Sequence, residues 1–293
     1  MPEGRIIKAL SGFYYVKDHD EVVQCRGRGN FRKKKVSPLV GDIVTFEAEQ
    51  PTDGYILDIK DRKNELNRPP IANVDQAILV LSASKPAFDD VLLDRLLVHI
   101  ESNDITPLIC ITKLDLVSND SQNTINQYVE CYRRIGYPVL LTSSKAEKGI
   151  DEFKRHLDGR ISVVAGQSGV GKSSLLNTLD ASFNIDTDEI SRHLGRGKHT
   201  TRHVELLQVG NGYIADTPGF SSLEFTNIEE KDLSLYFPEM RKVSSECKFR
   251  GCTHIAEPKC AVKEAVKDGL ISEHRYQHYN QFYEEIKNRK RRY

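Results

Sequence analysis

The eight residues Gly166-Gln167-Ser168-Gly169-Val170-Gly171-Lys172-Ser173 have the types and spacing of a loop that holds phosphate groups. Glycines let the backbone wrap, so that N–H groups and the start of the following helix face the β- and γ-phosphates of a nucleotide. Lys172 adds a point charge there and is the first candidate for a catalytic role, while Ser173 offers a hydroxyl to Mg²⁺. The flanks agree: Ile161 to Ala165 reads as a strand, and Ser174, Leu175 and Leu176 continue a helix-forming run. Such a loop does not choose between ATP and GTP. Thr112-Lys113-Leu114-Asp115, after the apolar run ending at Ile111, supplies the choice, because a carboxylate at Asp115 can accept from both N1–H and N2–H₂ of guanine. Adenine would leave that acceptor unpaired, and the Lys113 stem can lie along the base plane.

Thr142-Ser143-Ser144-Lys145, after the next strand, resembles the Ser-Ala-Lys element that touches guanine from the other side. Asp216-Thr217-Pro218-Gly219 resembles the Asp-x-x-Gly of switch II in GTPases, where the Asp holds Mg²⁺ through water and the Gly N–H senses the γ-phosphate. Between it and the phosphate loop, in the place of switch I, lies Gly195-Arg-Gly-Lys-His199-Thr200-Thr201-Arg. Either Thr200 or Thr201 offers the Mg²⁺ ligand that orders this loop while the third phosphate is present. Base-recognition elements therefore precede the phosphate loop, the reverse of the ordinary order, as a circular permutation produces. Ras-like enzymes place a Gln after the switch II Gly to orient the attacking water. Here Phe220 stands there and cannot do so; the nearby polar candidates are His193, His199 and His203, and His199 joins Thr201 and Lys172 as the candidate catalytic set. The sequence thus reads as a slow GTPase completed by a partner. A metabolic kinase of the same loop class, or an RNA-binding module using GTP only as a conformational ligand, are the alternatives.

Cys247, Cys252, His254 and Cys260, spaced C-x₄-C-x-H-x₅-C, bring three thiolates and one imidazole together, the donor set of a closed tetrahedral zinc site. The other cysteines, Cys25, Cys110 and Cys131, are scattered, and the clustering of Cys247, Cys252 and Cys260 beside a histidine suggests a reduced cytoplasmic thiol site and not a disulfide framework. Over 293 residues, 42 Lys and Arg balance 42 Asp and Glu, so net charge selects no partner. Local charge does: six basic residues lie between Arg26 and Lys35 with no acidic one, and five more lie in the last seven positions. Backbone-tracking charge of this kind suits structured RNA. No apolar stretch approaches the roughly 20 residues needed to span a bilayer, and the start is not that of an export signal, so no membrane role is expected.

These residues need elements to position them. From residue 4 to about 62, short strands broken by glycine turns describe a small closed β-barrel of the OB or SH3-like kind. Arg68-Pro69-Pro70 reads as a linker, since successive prolines resist helix and sheet. Strand candidates at Gln76 to Leu81, Pro107 to Ile111, Pro138 to Leu141, Ile161 to Ala165, Val204 to Gln208 and Tyr213 to Ala215 then alternate with helical segments. That rhythm is an α/β sheet, mostly parallel, covered on both faces. Past residue 228, helices surround the cysteine cluster, and Tyr276, Tyr279, Phe282 or Tyr283, and Ile286 recur at helical spacing, a stripe read as core contact with a base-stacking platform as the alternative. The expected division is an OB-like barrel over 1–67, a permuted P-loop GTPase domain over 68–226 and a helical zinc-binding domain over 227–293.

Carried by these motifs and their order, the chain resembles the ribosome small subunit-dependent GTPase A family of permuted bacterial GTPases over essentially its whole length. The resemblance implies GTP-dependent binding to the maturing small ribosomal subunit and its rRNA, and release on hydrolysis. It also implies GTP or GDP with Mg²⁺, one structural Zn²⁺, and a cytoplasmic monomer. One departure from the general GTPase pattern is Thr112 where Asn is usual, which is expected to loosen the tie between this loop and the phosphate loop.

Overall fold

The computed structural model describes residues 1–19, 21–28, 31, 36–67, 69–146, 148–179, 204–216 and 224–290, with 119–121, 216 and 290 described by their backbone only. Five strands open the chain: β1 (Glu3–Leu10), β2 (Phe13–Asp18), β3 (Glu21–Gly27), β4 (Ile43–Ala48) and β5 (Gly54–Ile59). Alternate residues point inward, and Ile6, Val16, Val23, Cys25, Val44, Phe46 and Ile56 fill the interior. The order β1-β2-β3-β5-β4 closes into a barrel because β4 also pairs with β1, Glu3 opposite Thr45 and Arg5 opposite Ile43. The linker expected at Arg68-Pro69-Pro70 is corrected in part. Pro70 opens β7 (Pro70–Ala72), which pairs antiparallel with β6 (Glu65–Asn67). A proline with no N–H to give is tolerated at the first position of so short a ribbon.

Next come β8 (Gln76–Ser82), α1 (Asp90–Glu101), β9 (Thr106–Thr112), α2 (Asn119–Ile135), β10 (Val139–Leu141), α3 (Ile150–Leu157), β11 (Ile161–Ala165), α4 (Lys172–Asn177), β12 (Glu205–Val209) and β13 (Gly212–Asp216). The order β10-β9-β8-β11-β13 is parallel throughout, and β12 runs antiparallel to β13. β8 and β11 are buried along their whole length, which explains why they read as unbroken apolar runs. Ala77, Leu79, Leu81, Ile109 and Ile111 meet α1 and α2 on one face, and Ile78, Val80, Leu108 and Cys110 meet α3 and α4 on the other. From β8 the chain steps outward to β9 and β10, then returns to the far side of β8 as β11. A crevice at the carboxyl ends of β8 and β11 follows from that reversal.

The last elements are α5 (Pro238–Val243), α6 (Ala261–Lys267) and α7 (Glu273–Lys290). They share a third core of Phe237, Met240, Val262, Tyr279, Phe282 and Ile286, which also takes in Val98 of α1 and Phe225. The expected aromatic stripe of α7 is therefore core, with Tyr279, Phe282 and Ile286 almost wholly buried. Among the described residues, no helix is long and apolar enough to cross a membrane.

Candidate functional site

The phosphate-loop residues leave β11 at its carboxyl end and enter α4 at Lys172. Gly166 has φ +147°, and a Cβ there would stand 2.2 Å from the carbonyl oxygen of Val80, so β8 fits against this loop only because the residue is glycine. Val170, Leu175 and Leu176 are buried beneath it. Each such side chain contributes about 1.5–3 kcal/mol relative to exposure, which holds the loop down. Lys172 Nζ donates to the carbonyls of Gly166 (2.9 Å) and Gln167 (2.6 Å), and burial pushes its pKa below the ordinary lysine value. Ser173 is buried on the first turn of α4, and Ser174 is half-buried beside it. Gly171, in the left-handed region at φ +99°, starts the helix, with Ser168 and Gly169 completing the turn.

The Thr112 to Asp115 segment sits at the carboxyl end of β9 and touches that loop. Thr112 Oγ1 lies 2.5 Å from the Val170 carbonyl and 3.1 Å from the Leu81 carbonyl. Lys113 Nζ donates to Gly169 O and Lys85 O, both at 2.5 Å. Leu114 begins a short 3₁₀ turn that presents Asp115 at the surface. Asp115 Oδ1 accepts from Ser143 Oγ at 2.6 Å; this hydrogen bond, with Lys145 nearby, holds the carboxyl below its ordinary range. Ser143 Oγ in turn accepts from Ala146 N, which anchors the loop carrying Ser144 and Lys145 after β10. Loops from β9, β10 and β11 thus converge on one rim of the sheet, and Asp216, the last residue of β13, reaches the same rim through the parallel β11–β13 pair. The Asp216 side chain, Gly219, Phe220, His193, His199, Thr200, Thr201 and His203 lie outside the described residues.

The four expected zinc ligands come together before α6. Their ligand atoms all lie within 4.8 Å of one another, with His254 Nδ1 3.3 Å from Cys260 Sγ and 3.6 Å from Cys247 Sγ, and Cys247 Sγ 3.9 Å from Cys260 Sγ. Tetrahedral bonds of about 2.3 Å to sulfur and about 2.0 Å to nitrogen set ligand atoms about 3.5–3.8 Å apart, so this set fits zinc. Tyr276 and Tyr279 of α7 donate to the carbonyls of His254 (2.7 Å) and Thr253 (2.5 Å), which ties the knuckle to the long helix. Lys248, Arg250 and Lys259 surround it, all exposed.

Sequence reasoning missed Asp89. It caps α1, accepting from Leu92 N at 2.8 Å, and its other oxygen accepts from Gln167 Nε2 at 3.2 Å. The Asp-Asp pair before an apolar helical run was a legible cap signal, but nothing local showed that the cap meets the phosphate loop.

The family model described as RsgA GTPase matches residues 59–226, and the RsgA N-terminal domain model matches 3–56. The small ribosomal subunit biogenesis GTPase RsgA of Bacillus subtilis (strain 168) is 60% identical over 298 residues, with 100% of both chains covered. The protein of the same name from Bacillus anthracis is also 60% identical, over 293 residues, with 100% of both covered. Among solved structures, that of YloQ, described as a circularly permuted GTPase, is 55% identical with TM-score 0.86, covering 99% of this chain and 96% of that one. YjeQ from Thermotoga maritima is 37% identical with TM-score 0.85, covering 97% and 98%.

Proposed function

The chain belongs to the RsgA GTPase family and is a GTPase; from that premise we propose that it acts in biogenesis of the small ribosomal subunit, binding the subunit through its rRNA and leaving on hydrolysis. The convergence of the Asp115, Ser143 and Lys172 loops on one rim carries the nucleotide part of this reading. Asp115 and the Ser143–Lys145 loop select guanine, and the backbone of Gly166 to Gly171 with Lys172 holds the phosphates. Ser173, Asp216 and one of Thr200 and Thr201 would hold Mg²⁺, which supplies charge neutralisation at the phosphates when bound. Gly219 senses the third phosphate, and His199 or a ribosomal group orients water in place of the missing Gln. Cys247, Cys252, His254 and Cys260 hold one structural Zn²⁺. The barrel over 1–67 and the basic segments serve rRNA, the nucleotide domain spans 68–226 and the zinc module 227–293, in a cytoplasmic monomer with no membrane role.

The test is single-turnover GTP hydrolysis with and without purified small subunits, alongside co-sedimentation with GTP, a non-hydrolysable analogue or GDP. Turnover should rise by tens of fold or more with subunits, and the chain should pellet with the analogue and not with GDP. Unchanged turnover at saturating subunits would refute the proposal.

A further inference from the structure

α1 has two faces and an amino-terminal tip, each with separate work. Leu93, Leu96, Leu97 and Ile100 pack on the sheet. Val91, Asp94, Arg95 and Val98, spaced as one helical stripe, turn to the C-terminal module. Asp94 is fully buried: Oδ1 accepts from Arg275 (2.5 Å) and Tyr132 (2.7 Å), and Oδ2 lies 2.6 Å from His278 Nδ1. The Arg95 guanidinium pairs bidentately with Glu285 at 2.8 and 2.6 Å and sits 4.7 Å from the ring centres of both Phe225 and Phe282. At the amino end, Asp89 caps the helix with one oxygen and holds Gln167 with the other. Gln167 is gripped twice, since its carbonyl accepts from Lys172 Nζ at 2.6 Å.

We propose that Asp89 is a positioning residue for the phosphate loop and that α1 links the loop to the docking of α7. The proposal rests on the phosphate-loop assignment of Gly166 to Ser173. A rigid helix fixed to the zinc module at one face and to Gln167 at its tip cannot shift at one end without disturbing the other. Nucleotide binding and α7 docking must then be coupled, reciprocally.

Two substitutions separate capping from contact. Asp89→Ser keeps an oxygen for Leu92 N but is too short to reach Gln167, whereas Asp89→Asn keeps the cap and can donate to Gln167 Oε1 with that amide turned. Titration with N-methylanthraniloyl-GDP and Mg²⁺ should show Asp89→Ser weaker by about three- to tenfold and Asp89→Asn close to the parent. Hydrogen exchange across Glu273–Lys290 should slow on saturation with GDP in the parent and Asp89→Asn, and not in Asp89→Ser. Gln167→Ala, which leaves the cap intact, should repeat the loss if Asp89→Ser folds poorly. Equal affinity of Asp89→Ser and parent, or exchange in α7 indifferent to GDP in the parent, would overturn the link. If Lys172→Ala also bound the probe as tightly as the parent, the loop assignment itself would fall; if Lys172→Ala is disabled, only the link falls.

Discussion

Thr112 has one hydroxyl proton and two carbonyl neighbours, Leu81 and Val170, so it satisfies one of them at a time. An Asn amide carries two donors, which gives physical content to the looser tie expected from its absence. Lys113 compensates by bridging Gly169 and Lys85. At Asp115 the hydrogen bond from Ser143 keeps the carboxylate ionised and aimed without burying it. This yields a sharp expectation: Asp115→Asn should weaken GTP binding by about tenfold to several hundredfold, since the amide sets an N–H₂ donor against guanine where the carboxylate offered a second, charged acceptor, and should raise affinity for the xanthine nucleotide. Competition of GTP and XTP for a fluorescent GDP analogue measures both, and a variant still preferring GTP would contradict the assignment. This site was legible because its residues sit in short local strings. Asp89 was not, because its partner Gln167 lies 78 positions away and no spacing rule connects them.

Among elements, α7 was legible as an amphipathic helix, yet its attachment was not. Its aromatic stripe predicts burial without saying against what; the structure shows that the Cys/His knuckle hangs from it by Tyr276 and Tyr279, and that His254 occupies a left-handed backbone position at φ +62°. A non-glycine residue in that region is held there by its surroundings. Zinc is the constraint proposed here, and its removal should release it. The purified chain should contain about one zinc per molecule, and chelation should open the segment between Cys247 and Cys260 to protease before the rest of the chain is cut. Metal-free protein with an unchanged cleavage pattern would show that hydrogen bonding alone closes the knuckle. The Arg68-Pro69-Pro70 misreading has the same root, since pairing with Glu65–Asn67 is tertiary information that a proline rule does not contain.

At the scale of the molecule, the barrel interior and one face of the nucleotide sheet share one apolar cluster, and directional contacts add to it. The barrel continues the nucleotide sheet, because Lys8 of β1 lies opposite Glu205 of β12 and pairs with it at 2.8 Å. The C-terminal module is joined by its own apolar core, which takes in Val98 and Phe225, and by buried charge. Arg275, with no exposed surface, reaches Asp94 across 181 positions and holds Glu239 through Nε (2.8 Å) and Nη2 (3.1 Å). Burial alone would push the Asp94 carboxyl up; Arg275, with hydrogen bonds from His278 and Tyr132, outweighs it and holds Asp94 below its ordinary 3.8. A carboxyl lowered by folding contributes its stability fully above that ordinary value and loses it as pH falls through the lowered one. Removing only the cation leaves the buried Asp94 and Glu239 carboxylates without the guanidinium they share. Arg275→Met should therefore cost about 3–5 kcal/mol in urea unfolding at neutral pH, and neutralising both partners in the same chain, Asp94→Asn with Glu239→Gln, should recover much of that loss. Because Asp94 no longer has Arg275 to keep it ionised, the single variant should also gain stability relative to the parent as the solution is acidified toward pH 4. A neutral-pH cost below about 1 kcal/mol, or a difference from the parent that does not narrow in acid, would mean that apolar contacts around Phe237 and Phe282 hold the module and that the buried charges only accompany them.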